Sequence, residues 1–130
     1  MIVLDASAAV ELLLGSSAGR QVAGSIGDCS SVHYPELMPV EAISALRRLV
    51  ARDVVGYDRA RDAVQDLGDL SGHSHRHDLV LEQAFALSSR FSVYDAIYVA
   101  LADVLDATLL TADGRLARQA TSIVGVDLVS

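Results

Sequence analysis

Four acidic residues, Asp5, Glu41, Asp95 and Asp113, stand where an alternating strand-and-helix chain would bring side chains to one end of a sheet. Asp5 closes the apolar run Ile2-Val3-Leu4, and Asp113 follows the run Leu109-Leu110-Thr111 by a single residue. Asp95 opens a long apolar segment, and Glu41 interrupts the apolar face of another. The carboxyl ends of parallel strands are where such folds bind ligands. Carboxylates held together repel unless a divalent cation neutralises them, so the pattern points to a metal site.

Each acid also has a plainer reading. Asp5 fits a strand-to-helix turn, with Ser7 as the N-cap of a helix over Ala8–Leu14. Glu41 lies four residues from both Leu37 and Ala45, which puts it on or beside a buried helix face. Its ordinary alternative is a boundary position paired with Arg48. Ser92-Val93-Tyr94-Asp95 reads as a capping box, and a carboxylate in a first helical turn is favoured by the helix dipole and kept ionised. Asp113 reads as the N-cap of a last helix. Their common location is the stronger signal.

The elements that must position them follow from periodicity. Strands are predicted at Ile2–Asp5, Ser31–Tyr34, His73–His75, Thr108–Thr111 and Val126–Val129. Helices are predicted at Ser7–Leu14, Ala18–Gly27, Glu36–Arg52, Tyr57–Leu70, Asp78–Ser89, Tyr94–Leu105 and Gly114–Ala120, with Pro39 tolerated in a first turn. Strands alternating with helices imply a three-layer α/β/α sandwich around a mainly parallel sheet. The helical stretch from Glu36 to Leu70 is expected to cover one side of that sheet. No repeat or linker composition divides the chain, so residues 1–130 are expected to form one domain.

Composition narrows the function classes. With 52% hydrophobic and 21% charged residues, the chain is globular and not disordered. A net charge of −7 argues against a basic surface that coats nucleic acid, yet acids that hold metal count as negative while forming part of a cationic site. The lone Cys29 precludes an internal disulfide and fits a reducing cytoplasm. No signal peptide is evident, and the apolar stretch Ala96–Leu105 is far shorter than the roughly 20 residues needed to span a bilayer.

Other chemistries fare worse. His73, His75 and His77 alternate as zinc ligands on a strand would, but no Cys or fourth ligand lies nearby, so solvated histidines on an edge strand are expected. The G-x-S-x-G elbow, the phosphate loop and the dinucleotide glycine fingerprint are all missing. Arg47, Arg48 and Arg52 form a small basic patch, read as a solvated face for Arg47 and Arg52 or as a rail for RNA phosphates.

The segments Val3-Leu4-Asp5-Ala6-Ser7-Ala8, Pro39 to Arg48, Ser92 to Ala102 and Leu109 to Leu116 carry a resemblance that runs from Ile2 to about Val129. The chain resembles a PIN-domain ribonuclease and, within that family, a VapC-type toxin of bacterial toxin–antitoxin pairs. The resemblance implies a PIN-like fold and an acidic quartet of Asp5, Glu41, Asp95 and Asp113, with Ser7 and Thr111 as supporting hydroxyls. It further implies a Mg²⁺-dependent, sometimes Mn²⁺-dependent, endoribonuclease acting on RNA. The partners it implies are a second copy of the chain and a VapB-type antitoxin that inserts a C-terminal segment into the active-site groove. Ser44 departs from the pattern, standing where related toxins often carry Asn, which implies weaker or water-mediated support for the site.

On that basis the expected reaction is phosphodiester hydrolysis by metal-activated water, with one or two ions bridged by Asp5 and Asp95 and shared with Glu41 and Asp113. The products would carry 5′-phosphate and 3′-hydroxyl ends. Two rivals stand beside it. One is a phosphoryl-transfer enzyme with Asp5 as covalent nucleophile, which lacks its usual second acid because Ser7 occupies that place. The other is a non-catalytic module that only docks a partner.

Overall fold

The computed structural model describes residues 1–130. Five strands form one sheet: β1 (Ile2–Leu4), β2 (Val32–Pro35), β3 (His73–His75), β4 (Thr108–Thr111) and β5 (Val126–Leu128). The spatial order is β3-β2-β1-β4-β5, and every neighbouring pair is parallel. All three residues of β1 are buried although their side chains alternate between faces, so both faces of the sheet are covered. The order of connection reverses at β1, which pairs β2 on one side and β4 on the other. The crevice at the carboxyl ends of β1 and β4 is therefore the topological switch point, where doubly wound sheets bind ligands.

Seven α-helices connect the strands: α1 (Ala6–Leu14), α2 (Ser17–Asp28), α3 (Leu37–Ala51), α4 (Tyr57–Gly68), α5 (Leu81–Leu87), α6 (Val93–Leu105) and α7 (Gly114–Ala120). In α6 every residue from Ala96 to Ala102 is buried, and the helix packs across β1, β2 and β4. A helix apolar on all sides belongs in the middle of a core, and its small alanines let the neighbouring layers approach. Close approach is also required between α1 and α2: a Cβ on Gly19 would lie 2.0 Å from the Glu11 carbonyl oxygen. Gly15 makes the turn between these helices at φ 66°, and Ser16 caps α2 by accepting the Gly19 amide at 3.0 Å.

The helices depart from the sequence expectations in three places. Helix α3 packs on α1 as well as on β2, and α4 packs on α1 and α3, so this pair extends a helical layer built on α1. The helix expected over Asp78–Ser89 splits into a 3₁₀ turn at His77–Leu79 and α5. Val80 breaks it at φ −130°, because burying that side chain to 1% exposure takes priority over a continuous helix. Finally, α1 begins at Ala6 with Asp5 in the cap position, so Ser7 lies inside the helix and is not its N-cap.

The largest hollow, about 450 Å³, is an apolar groove between α3 and α4, and it contains no acid. Arg47 lines this groove, whereas the next residue, Arg48, faces a different pocket and Arg52 ends α3, so the three arginines do not form one patch. No helix is long and apolar enough to cross a membrane.

Candidate active site

The pocket that Arg48 faces, about 230 Å³, is lined by Asp5, Glu41, Asp95 and Asp113 together with Ser7 and Ser44. Four acids that stand far apart in the chain thus share one cleft, delivered by the end of β1, by α3, by the first turn of α6 and by the start of α7.

Asp5 continues the β1–β4 ladder by donating its amide to Leu110 at 3.0 Å, and its side chain is 5% exposed. Both supporting hydroxyls converge on its Oδ2: Ser7 Oγ donates at 2.5 Å and Thr111 Oγ1 at 2.8 Å. A hydroxyl has one hydrogen, so the 3.1 Å contact between Ser7 and Thr111 is not a further hydrogen bond once both protons point at Asp5. Their lone pairs instead accept backbone amides, Ala112 at Ser7 and Asp113 at Thr111, each at 3.0 Å. The loop from β4 to α7 is thereby tied to Asp5 through two side chains. Burial pushes the Asp5 carboxyl above its usual range and the Asp95 charge adds to this, while the two hydroxyls pull the other way.

Glu41 is half-buried, and its Oε1 accepts the Tyr98 hydroxyl at 2.7 Å. Burial raises its pKa, the tyrosine hydrogen bond opposes this, and Asp5 and Asp95 raise it again. Tyr98 itself is held far above an ordinary phenol by burial first and by Glu41 second, so it remains a proton donor. The alternative pairing of Glu41 with Arg48 is not formed. Arg48 Nη1 donates to Ser44 Oγ at 3.1 Å and acts on Glu41 only through its charge.

Half of the expected capping box is present. The Asp95 amide donates to Ser92 Oγ at 3.1 Å, but the Asp95 carboxylate turns to Arg115, whose Nη2 lies 2.9 Å from Oδ2. Asp113 is the N-cap of α7 as expected, its Oδ1 accepting the amides of Arg115 at 2.9 Å and Leu116 at 3.2 Å. Its Oδ2 lies 3.4 Å from the same Arg115 Nη2. The acids are not drawn into a closed cage of three or more converging ligands. Two cations attend them: Arg48 lines the pocket, and the Arg115 guanidinium pairs with Asp95 foremost and Asp113 next, which raises its pKa. The donors lining the pocket are carboxylate and hydroxyl oxygens, a hard set that suits Mg²⁺ or Mn²⁺.

Sequence reasoning missed Tyr98, Arg115 and His33. Tyr98 reads as core in a run of apolar residues. Arg115 carried one usable signal: a cation in a helix's first turn opposes the dipole unless acids surround it. His33 in β2 is cross-strand partner to His73, and the register that brings them together is invisible locally. Its ring stacks on His73 with centroids 4.8 Å apart, and its Nδ1 lies 2.8 Å from His75 Nε2. The expectation of solvated histidines holds for His73, while His75 and His77 are half-buried, and His33, outside that expectation, is 9% exposed. His77 leaves the strand altogether, and its Nε2 accepts the Leu37 amide at the start of α3 at 2.9 Å.

The PIN domain family matches residues 2–121. The chain is 38% identical to ribonuclease VapC12 of Mycobacterium tuberculosis over 130 residues, covering all of both chains. Among solved structures, PAE2754 from Pyrobaculum aerophilum superposes with a TM-score of 0.70 at 22% identity, over 98% of this chain and 83% of that one. VapBC2 from Rickettsia felis, bound to a DNA fragment from their promoter, gives a TM-score of 0.67 at 11% identity with full coverage of both chains. The chain belongs to the PIN-domain family, as a VapC-type member.

Proposed function

We propose that this protein is a VapC-type endoribonuclease toxin that hydrolyses RNA phosphodiesters with the aid of Mg²⁺ or Mn²⁺. The observation that carries the reading is the convergence of Asp5, Glu41, Asp95 and Asp113 on one pocket at the sheet's switch point. Its 38% identical relative over the full chain is named a ribonuclease, which supports the same activity.

In this reading the four carboxylates hold the divalent ion, with Asp5 and Asp95 central. When bound, the ion supplies Lewis-acid polarisation of the scissile phosphate and an acidified water. Water adds to phosphorus as the bond to the 3′-oxygen breaks, and the products carry 5′-phosphate and 3′-hydroxyl ends. Ser7 and Thr111 fix the Asp5 carboxylate by holding one of its oxygens. Tyr98 does the same for Glu41 Oε1. Because Asp5 and Glu41 are raised by burial, their ionisation and cation binding reinforce each other.

The partners proposed are an RNA substrate, a VapB-type antitoxin and a second copy of the chain. The fold likeness to a VapBC2 assembly is consistent with the antitoxin. Exposed apolar side chains at Leu79, Leu81 and Phe85 are consistent with self-association.

The test is to incubate the purified protein with cellular RNA and Mg²⁺, alongside EDTA and Asp95→Asn controls, and to analyse the cut ends. Cuts with 5′-phosphate ends that vanish in both controls are expected. Cyclic phosphate ends, or full activity in Asp95→Asn, would overturn the assignment.

A further inference from the structure

Arg115 stands in an unusual place for a cation. It lies in the first turn of α7, where the helix dipole disfavours positive charge, and its side chain is 55% exposed. Even so, every part of its guanidinium that reaches a partner is engaged. Nη2 bridges Asp95 Oδ2 and Asp113 Oδ2 at 2.9 and 3.4 Å, while Nη1 donates to Gln119 Oε1 at 3.1 Å, one turn further along α7. Gln119 thus braces the guanidinium in the orientation that spans the acids. The bridged oxygens belong to two of the four acids that line the pocket, and Asp113 Oδ1 is committed to capping α7. Arg115 therefore holds one carboxylate oxygen from each of two acids on which a cation in this pocket would draw.

Resting on the nuclease reading above, we propose that Arg115 is an internal competitor for the divalent cation. It neutralises Asp95 and Asp113 in the metal-free site and gives up both carboxylates when the metal enters. Charge favours this. Arg115 donates to an oxygen of each of two carboxylates that would attend the ion, and a cation left beside the incoming ion would repel it. Exposure makes the exchange easy, because the side chain leaves toward solvent and the pair it breaks is partly screened. The competition keeps the metal-free protein stable by relieving acid–acid repulsion, and it sets a threshold concentration for metal uptake.

A merely structural Arg115, one that props Asp95 and Asp113 in place, predicts the opposite sign for its removal. The experiment is calorimetric titration of Mg²⁺ and Mn²⁺ into the wild type, Arg115→Ala and Arg115→Gln, with thermal melts of each protein in EDTA and in saturating metal. Competition predicts metal binding tightened by about three- to tenfold in both variants, as fits removal of a partly exposed charge pair. It also predicts melting temperatures lowered in EDTA and largely recovered in metal. Arg115→Lys, whose compact ammonium cannot span two acids, should fall between wild type and Arg115→Ala. Unchanged or weaker metal binding in the variants, with the wild type binding normally, would overturn this inference alone. Failure of every protein, wild type included, to bind either metal would overturn the metal-site reading and this inference with it.

Discussion

The Tyr98 hydroxyl on α6 donates to Glu41 Oε1 on α3 across 2.7 Å, joining two helices that carry separate acids to one pocket. Tyr98 is 1% exposed and keeps its proton, so its chemical task is to orient Glu41. Partners that hydrogen-bond to metal ligands typically contribute 10–100-fold to metal affinity or activity.

Tyr98→Phe removes that donor with little change of shape. The expected outcome is a folded protein with metal affinity and cleavage rate each lowered by about tenfold. Thermal stability should fall by roughly 1 kcal/mol. Titration calorimetry and single-turnover cleavage check the two halves, and wild-type metal affinity in the variant would contradict the role given to Tyr98.

Thr111 is fully buried and serves two groups at once, donating to Asp5 and accepting from the Asp113 amide. Thr111→Val keeps the volume, strands the Asp113 amide and leaves Asp5 Oδ2 with Ser7 as its one hydroxyl donor. Urea unfolding of the metal-free protein should show a loss of about 1–3 kcal/mol, the usual cost of unsatisfied buried polar groups. Thr111→Ser should recover most of it. A loss as large in the serine variant would mean that the methyl group, and not the hydroxyl, is what matters.

The histidine cluster gives a pH dependence of defined sign. Burial lowers the pKa of His33 and of His75; His75 and His73 reinforce this at His33, and His73 does so at His75. A folded pKa below the unfolded value, about 6.5, means the unfolded chain binds more protons in between. The contribution to stability is therefore full above about pH 6.5 and is lost as the pH falls toward the folded values. Asp5 and Glu41, raised by burial, pull the other way. Comparing urea midpoints at pH 7.5 and 5.5 between the wild type and a His33→Asn/His75→Asn variant cancels the carboxylate part. The wild type should lose more stability on acidification than the variant, and equal losses would refute the assignment.

How much of this was readable from the chain depended on whether the signal was local. The apolar runs of β1 and β4, the all-apolar α6 and the acids beside them are properties of short windows, and periodicity shows them directly. The caps at Ser92 and Asp113 are local too and occur as expected. Ser7 lies inside α1 because the helix starts at Ala6, two residues before the Ala8 start that would make Ser7 its cap. Arg115 pairs with an acid twenty residues earlier, on a different helix and beyond the reach of any local window. Glu41 drew attention by its burial, but its partner proved to be a core tyrosine 57 residues away and not the neighbouring arginine.

The imidazole of His77 supplies the acceptor at the start of α3, since Glu36 makes no capping hydrogen bond with its side chain. The helix that carries Glu41 is thus moored at its first turn to a short excursion beyond the outermost strand. A segment at the rim of the molecule acts as a foundation for its centre. Insertions, tags or loop exchanges between Gly72 and Leu79 would therefore be felt in the pocket, even though that stretch contributes no side chain to the pocket lining.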